Sequence, residues 1–194
     1  MTGQEITFCG VNAHFQNGIA ERSTCTIVDQ ATAMLLHAIK KWPDEITIDL
    51  WPSFTLRLFV DIYNSTPSKS GLSPEEIFMG QKRKNKLELF HMFGHPIFVL
   101  EPRFQQGQKI LKWEPRSHMG IYLGNSPFHT QTVPLILNLW SGLVSPQYHV
   151  IYEDQFTSTT SMKTNKLPDN WKELFKEHRD NVLEGCDELQ QSTN

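Results

Sequence analysis

Between Gln81 and Arg116 the chain sets eight basic residues (Lys82, Arg83, Lys84, Lys86, Arg103, Lys109, Lys112 and Arg116) against three acidic ones, Glu88, Glu101 and Glu114. The chemistry open to such a run is phosphate contact. The whole chain carries a formal charge of −3, and from Thr157 onward five basic residues face seven acidic ones, so the positive charge is confined to the middle. Charge alone leaves a second reading open, a solvated basic loop with no ligand. Another group of polar residues stands earlier: His14, Gln16, Asn17, Glu21 and Arg22. Taken by themselves, Asn17 suits a helix N-cap and Glu21 favours the positive end of a helix dipole. Arg22 reads as a solvated helix residue and His14 as an exposed loop residue.

The elements that must position these groups follow from spacing. Residues 1–15 read as extended or looped. A helix should begin near Gln16 or Asn17 and end near Lys40 and Lys41, because Ile27, Ala31, Met34, Leu35 and Ala38 form one apolar stripe and Pro43 stops the run. A second helix is expected from about Trp51 to Tyr63, with Trp51, Phe54, Leu58 and Ile62 at helical spacing. Ser73-Pro74-Glu75-Glu76 predicts a capping box opening a short helix that Gly80 ends. Beyond Lys86 the period changes. The short runs 97–100, 119–123, 133–139 and 148–152, punctuated by Gly and Pro, predict strands of a small barrel or sandwich. Residues 157–165 read as a flexible linker, and Trp171 to Leu189 as one more helix. Trp51 and Trp140 are expected in the core rather than as base-stacking platforms.

Composition excludes several classes. There is no apolar stretch of about 18 residues, so no membrane span or membrane partner is expected. The start lacks a basic, apolar signal pattern, so the chain is expected in the nucleus or cytoplasm rather than secreted. Cys9, Cys25 and Cys186 are too few and too widely spaced for a disulfide framework or a structural zinc site. No nucleotide, flavin or nicotinamide motif is present.

The stretch Cys9-Gly-Val-Asn-Ala-His14-Phe-Gln16-Asn17-Gly18-Ile-Ala20-Glu21-Arg22 resembles the H-x-Q-N-G-x-A-E-R segment of copia-type LTR retrotransposon integrases. Further landmarks follow in the family's order. Leu50-Trp51 precedes a helix closing in Asn64-Ser-Thr-Pro67, and Leu72-Ser-Pro74-Glu-Glu76-Ile-Phe-Met-Gly80 resembles its T-P-E-E segment. Phe93-Gly94-His95 stands where the family has Phe-Gly-Cys, Gly120-Ile-Tyr-Leu123-Gly124 is similar to its G-I-F-L-G-Y strand, and Ser145-Pro-Gln147-Tyr-His149-Val150 to its S-R-D-V strand. The resemblance covers roughly residues 9–156.

The resemblance implies an α+β chain: a helical C-terminal remnant of an RNase H-like integrase core followed by a small SH3-like β-barrel. It divides the chain into 1–80 (core remnant), 81–89 (basic linker), 90–156 (SH3-like domain) and 157–194 (linker and acidic helix). In the family, Glu21 would be the third carboxylate of an Asp-Asp-Glu site that holds Mg²⁺ or Mn²⁺ for polynucleotidyl transfer, since hard cations take oxygen ligands. Residues 1–15 hold no Asp, only Glu5. The expectation is a truncated integrase that binds no metal and is inactive alone. DNA is the implied partner, through His14, Gln16, Asn17, Arg22, Lys82, Arg83, Lys84 and Lys86. Other integrase subunits or polyprotein parts are further implied partners. Cys25 and Thr32 stand where the family often has Arg, which should weaken phosphate contact. Two other outcomes are weighed, a non-enzymatic interaction module and a functionless relic. In the relic, helices built to cover an absent sheet would leave Met34, Leu35, Phe54 and Leu58 in water.

Overall fold

The computed structural model describes residues 18–49, 51–82, 87–105, 111–130, 132–153, 155–156 and 173. The first helix, α1 (Gly18–Lys41), carries Glu21 in its first turn and Lys40 and Lys41 in its last, each matched in sign to the helix dipole. Its early turns are rich in Ser and Thr, which ordinarily compete with helix formation. Here Ser23, Thr24, Thr26 and Thr32 each donate their hydroxyl to the carbonyl four residues back, at 2.8–2.9 Å, so the competition is resolved within the helix. Ala31, Leu35 and Ala38 are its buried stripe.

Helix α2 (Pro52–Ser65) has Pro at its first turn, where the missing N–H costs nothing. Helix α3 (Pro74–Met79) has the expected capping box. Ser73 Oγ accepts from the Glu76 amide at 3.2 Å, and the Glu76 carboxylate accepts from the Ser73 amide at 3.0 Å. Gly80 ends it at φ 66°, a left-handed conformation that suits glycine.

A 3₁₀ turn (Leu87–Leu89) leads into the sheet. Its strands are β1 (Pro96–Leu100), β2 (Ser117–Asn125), β3 (Pro134–Asn138), β4 (Val144–Pro146) and β5 (Val150–Tyr152). They form one antiparallel sheet in the order β4-β3-β2-β1-β5. Thus β1 to β4 meander, and β5 returns to the free edge of β1. A short helix, α4 (Pro102–Gln105), opens the long connection between β1 and β2. Strands β1, β2, β3 and β5 coincide with the four runs expected from spacing. β4, α4 and the 3₁₀ turn, each only three or four residues long, are too short to carry a periodic signal.

The sheet buries both faces. Ile97, Val99 and Ile136 pack together on one, with Val150 and Tyr152. The other faces the helices. Leu35, Ala38, Trp42, Ile46, Trp51 and Leu58 share one hydrophobic core with Phe93, Met119, Ile121, Leu123, Leu137 and Val144. The helix faces that the relic alternative would leave in water are covered. Leu35 is 5% exposed and Leu58 1%, and Met34 and Phe54 pack against the same core. The physical reason is that the chain's own sheet covers these faces, with α2 lying on β2 at its bulge between Tyr122 and Gly124. A Cβ at Gly124 would stand 3.5 Å from Leu58 Cβ.

Trp140 also departs from expectation. It is 79% exposed, whereas Trp51 is buried as expected. Trp140 sits on the β3–β4 turn, where Asn138 Oδ1 accepts from the amides of Trp140 at 2.8 Å and Ser141 at 3.2 Å. That turn points the indole away from the sheet. The expected helix over Trp171 to Leu189 lies outside the described residues apart from Glu173, which is helical. The linker expected over 157–165 also lies outside them. No helix among the described residues is long and apolar enough to cross a membrane.

Candidate nucleic-acid interface

Glu21 and Arg22 lie side by side in the opening turns of α1, both exposed to solvent. Cys25 and Thr32 further along the helix are exposed as well. His14, Gln16 and Asn17 lie outside the described residues. Among the described residues no group of three or more His, Cys, Asp or Glu side chains is placed to hold a metal ion. A lone exposed carboxylate has little to offer a divalent cation against its hydration shell. The described residues therefore do not fit the two-metal site that the resemblance implies for Glu21.

Lys82 is exposed just past the Gly80 cap. Arg83, Lys84 and Lys86 lie outside the described residues. The remaining described members of the basic run, Arg103, Lys112 and Arg116, are exposed and all belong to the connection between β1 and β2. Two cations of that connection stand over aromatic rings. The Arg116 guanidinium stands 5.5 Å from the Phe104 ring centroid, and Lys112 Nζ stands 5.7 Å from that of Trp113. Sequence reasoning counted these cations but did not nominate them. The signal was there: the pairs Arg103-Phe104 and Lys112-Trp113 set a cation beside an aromatic residue.

Fixed polar contacts hold the base of this connection. The Glu101 amide donates to the Arg116 carbonyl at 2.9 Å. The Glu101 carboxylate meets His118 Nδ1 at 2.9 Å, and the far ring nitrogen of His118 meets Asn138 Nδ2 at 3.2 Å. Because Asn138 Oδ1 already accepts two amides of the β3–β4 turn, Nδ2 is the atom facing His118. An amide donor there requires Nε2 to accept, so the proton of a neutral ring sits on Nδ1 and is donated to Glu101.

A cleft of about 740 Å³ opens between α2, α3 and the end of β2, lined by Arg57, Asp61, Glu75, Asn125, Ser126 and His129 among others. At its edge the Tyr122 hydroxyl donates to Asn125 Oδ1 at 2.8 Å, and Ser126 Oγ pairs with His129 Nδ1 at 2.7 Å. Beside it lies an aromatic group in which His91 stacks on Tyr152 at 3.3 Å between centroids. Tyr122 meets Tyr152 edge-on at 5.7 Å. Burial pushes the Tyr152 phenol up to about 12, and burial followed by the neighbouring Tyr152 holds the Tyr122 phenol higher still. Both are neutral hydrogen-bonding groups under ordinary conditions.

No protein-family model matches this chain, and no curated protein or solved structure matches it.

Proposed function

We propose that this chain is the C-terminal part of a copia-type retrotransposon integrase, and that its own activity is DNA binding rather than DNA strand transfer. One observation carries the proposal: six sequence landmarks occur in the family's order, and their described residues lie at or within regular elements. Gly18 opens α1, Trp51 precedes α2, and Ser73 caps α3. Phe93-Gly94-His95 precedes β1, Gly120 to Gly124 lies in β2, and Val150 opens β5. The strand order, a meander whose last strand returns to the first, supports an SH3-like reading of the sheet, and α1 and α2 are read as helices of an RNase H-like core. Glu21 descends from the third carboxylate.

Binding is tested by measuring affinity for a short DNA duplex across a salt series. Displaced counterions make affinity fall as salt rises, by a log–log slope of about −0.9 per phosphate contacted. Changing Lys82, Arg83 and Lys84 to Glu should weaken binding and flatten that slope. Affinity that is absent, or indifferent to salt, overturns the reading.

A second reading, a non-enzymatic protein-interaction module, is favoured by an apolar groove of about 280 Å³ between α1 and α2. Val28, Leu36, Ile48 and Leu56 present apolar surface there. Under that reading the three charge reversals leave partner binding unchanged.

A further inference from the structure

The connection between β1 and β2 presents an apolar surface that the core does not use. Trp113 is 91% exposed and Leu111 74%. Isolated exposed apolar residues are common on protein surfaces. This one is accompanied by cations: Lys112 over Trp113, Arg116 over Phe104, and Arg103 exposed on α4. Of the described acidic residues nearby, Glu101 is engaged by His118, leaving Glu114. The ends of the connection are pinned to β2 and β3 through Glu101, His118 and Asn138.

An aromatic face bordered by cations suits a partner that is both planar and anionic. A greasy protein surface would have to desolvate Lys112 to cover Trp113, which is costly. Duplex DNA offers the phosphates but hides the faces of its bases in the stack. Unpaired nucleotides offer both, and aromatic–base stacking is a sequence-tolerant source of affinity. We propose that Trp113 and Phe104, together with Arg103, Lys112 and Arg116, form a stacking platform for unpaired nucleotides of a single strand. This rests on the nucleic-acid reading above and adds the strand form and the residues that choose it.

The test compares binding of a labelled oligothymidylate and a duplex of equal length to the full chain, by fluorescence anisotropy at two salt concentrations. Trp113→Ala should weaken single-strand binding by at least about five-fold, the lower end of the loss of one stacked base. It should leave duplex binding unchanged. Trp113→Phe, which keeps a stacking face, should recover part of the loss. Trp140→Ala removes another exposed indole and should change nothing. Circular dichroism of Trp113→Ala should match that of the unaltered chain, because the side chain contributes little buried surface. Equal single-strand affinity in Trp113→Ala and the unaltered chain overturns the platform. If duplex binding then still responds to reversal of Lys82, Arg83 and Lys84, the nucleic-acid reading survives without it. If neither nucleic acid binds, both fall.

Discussion

The indole Nε1 of Trp42 donates to the carbonyl oxygen of Gly94 at 2.7 Å, joining the end of α1 to the entry of β1 across 52 residues. Gly94 adopts φ 80°, and a Cβ there would stand 2.7 Å from Ala38 Cβ. The backbone conformation and the helix contact independently call for glycine. Gly94→Ala should therefore cost about 2–4 kcal/mol, combining left-handed strain with overpacking. Trp42→Phe should cost at least about 1–3 kcal/mol, because it strands a buried carbonyl. Urea denaturation reads both as a lower midpoint at unchanged slope. A Gly94→Ala midpoint equal to that of the unaltered chain would mean that the helix does not approach the sheet this closely.

Leu58 on α2 lies over the bulge of β2, within the core that helices and sheet share. Leu58→Ala should cost about 2–5 kcal/mol, the range for a buried leucine whose cavity does not collapse. The same core predicts that helix and sheet unfold together. Far-ultraviolet ellipticity, dominated by the helices, should then trace one transition with the near-ultraviolet signal of Trp42, Trp51 and Tyr122. Two separated transitions would show that α1 and α2 fold independently of the sheet.

Asn138 ties three segments together: its amide faces His118, and its carbonyl accepts from two amides of the β3–β4 turn. Asn138→Ala should cost about 1–2 kcal/mol, since the lost bonds are only part-buried. The arrangement also fixes the His118 tautomer. At mildly alkaline pH, long-range proton–nitrogen NMR spectra should show the ring proton on Nδ1, facing Glu101. A proton on Nε2 would mean that the amide of Asn138 is turned the other way.

What the sequence disclosed depended on how much of a feature is local. The three helices were legible because stripe, cap and stop lie within one segment, as Ser73, Glu76 and Gly80 show for α3. Strands β1, β2, β3 and β5 were legible as short β-rich runs punctuated by Gly and Pro. What covers Leu35 and Leu58 was not, because periodicity marks the buried side of a helix without naming the surface it meets. The answer lies about sixty residues beyond Leu58 and nearly ninety beyond Leu35, in Ile121 and Leu123. Trp140 was misplaced for a related reason: an aromatic residue after an apolar run looks like core until Asn138 turns the chain. Of the candidate interface, the cations were visible as a count. Lys112 and Trp113 are neighbours in the chain, whereas the pairing of Arg116 with Phe104 depends on how the β1–β2 connection closes.

Tyr152 and Tyr122 sit edge-on, with His91 stacked on the former, and burial holds both phenols above their ordinary value of 10.0. The folded chain therefore keeps protons that the unfolded chain releases above that pH. Their contribution to stability is complete below pH 10 and is lost as pH rises toward about 12, the value for Tyr152. Phenolate absorbance from these two residues should consequently appear together with loss of near-ultraviolet ellipticity, in one cooperative alkaline transition. Tyr152→Phe, which cannot ionise, should move that transition to higher pH while leaving stability near neutrality largely unchanged. If all four tyrosines of the chain ionise near pH 10 with ellipticity intact, the phenols are in contact with water and the cluster beside the cleft is not closed as described.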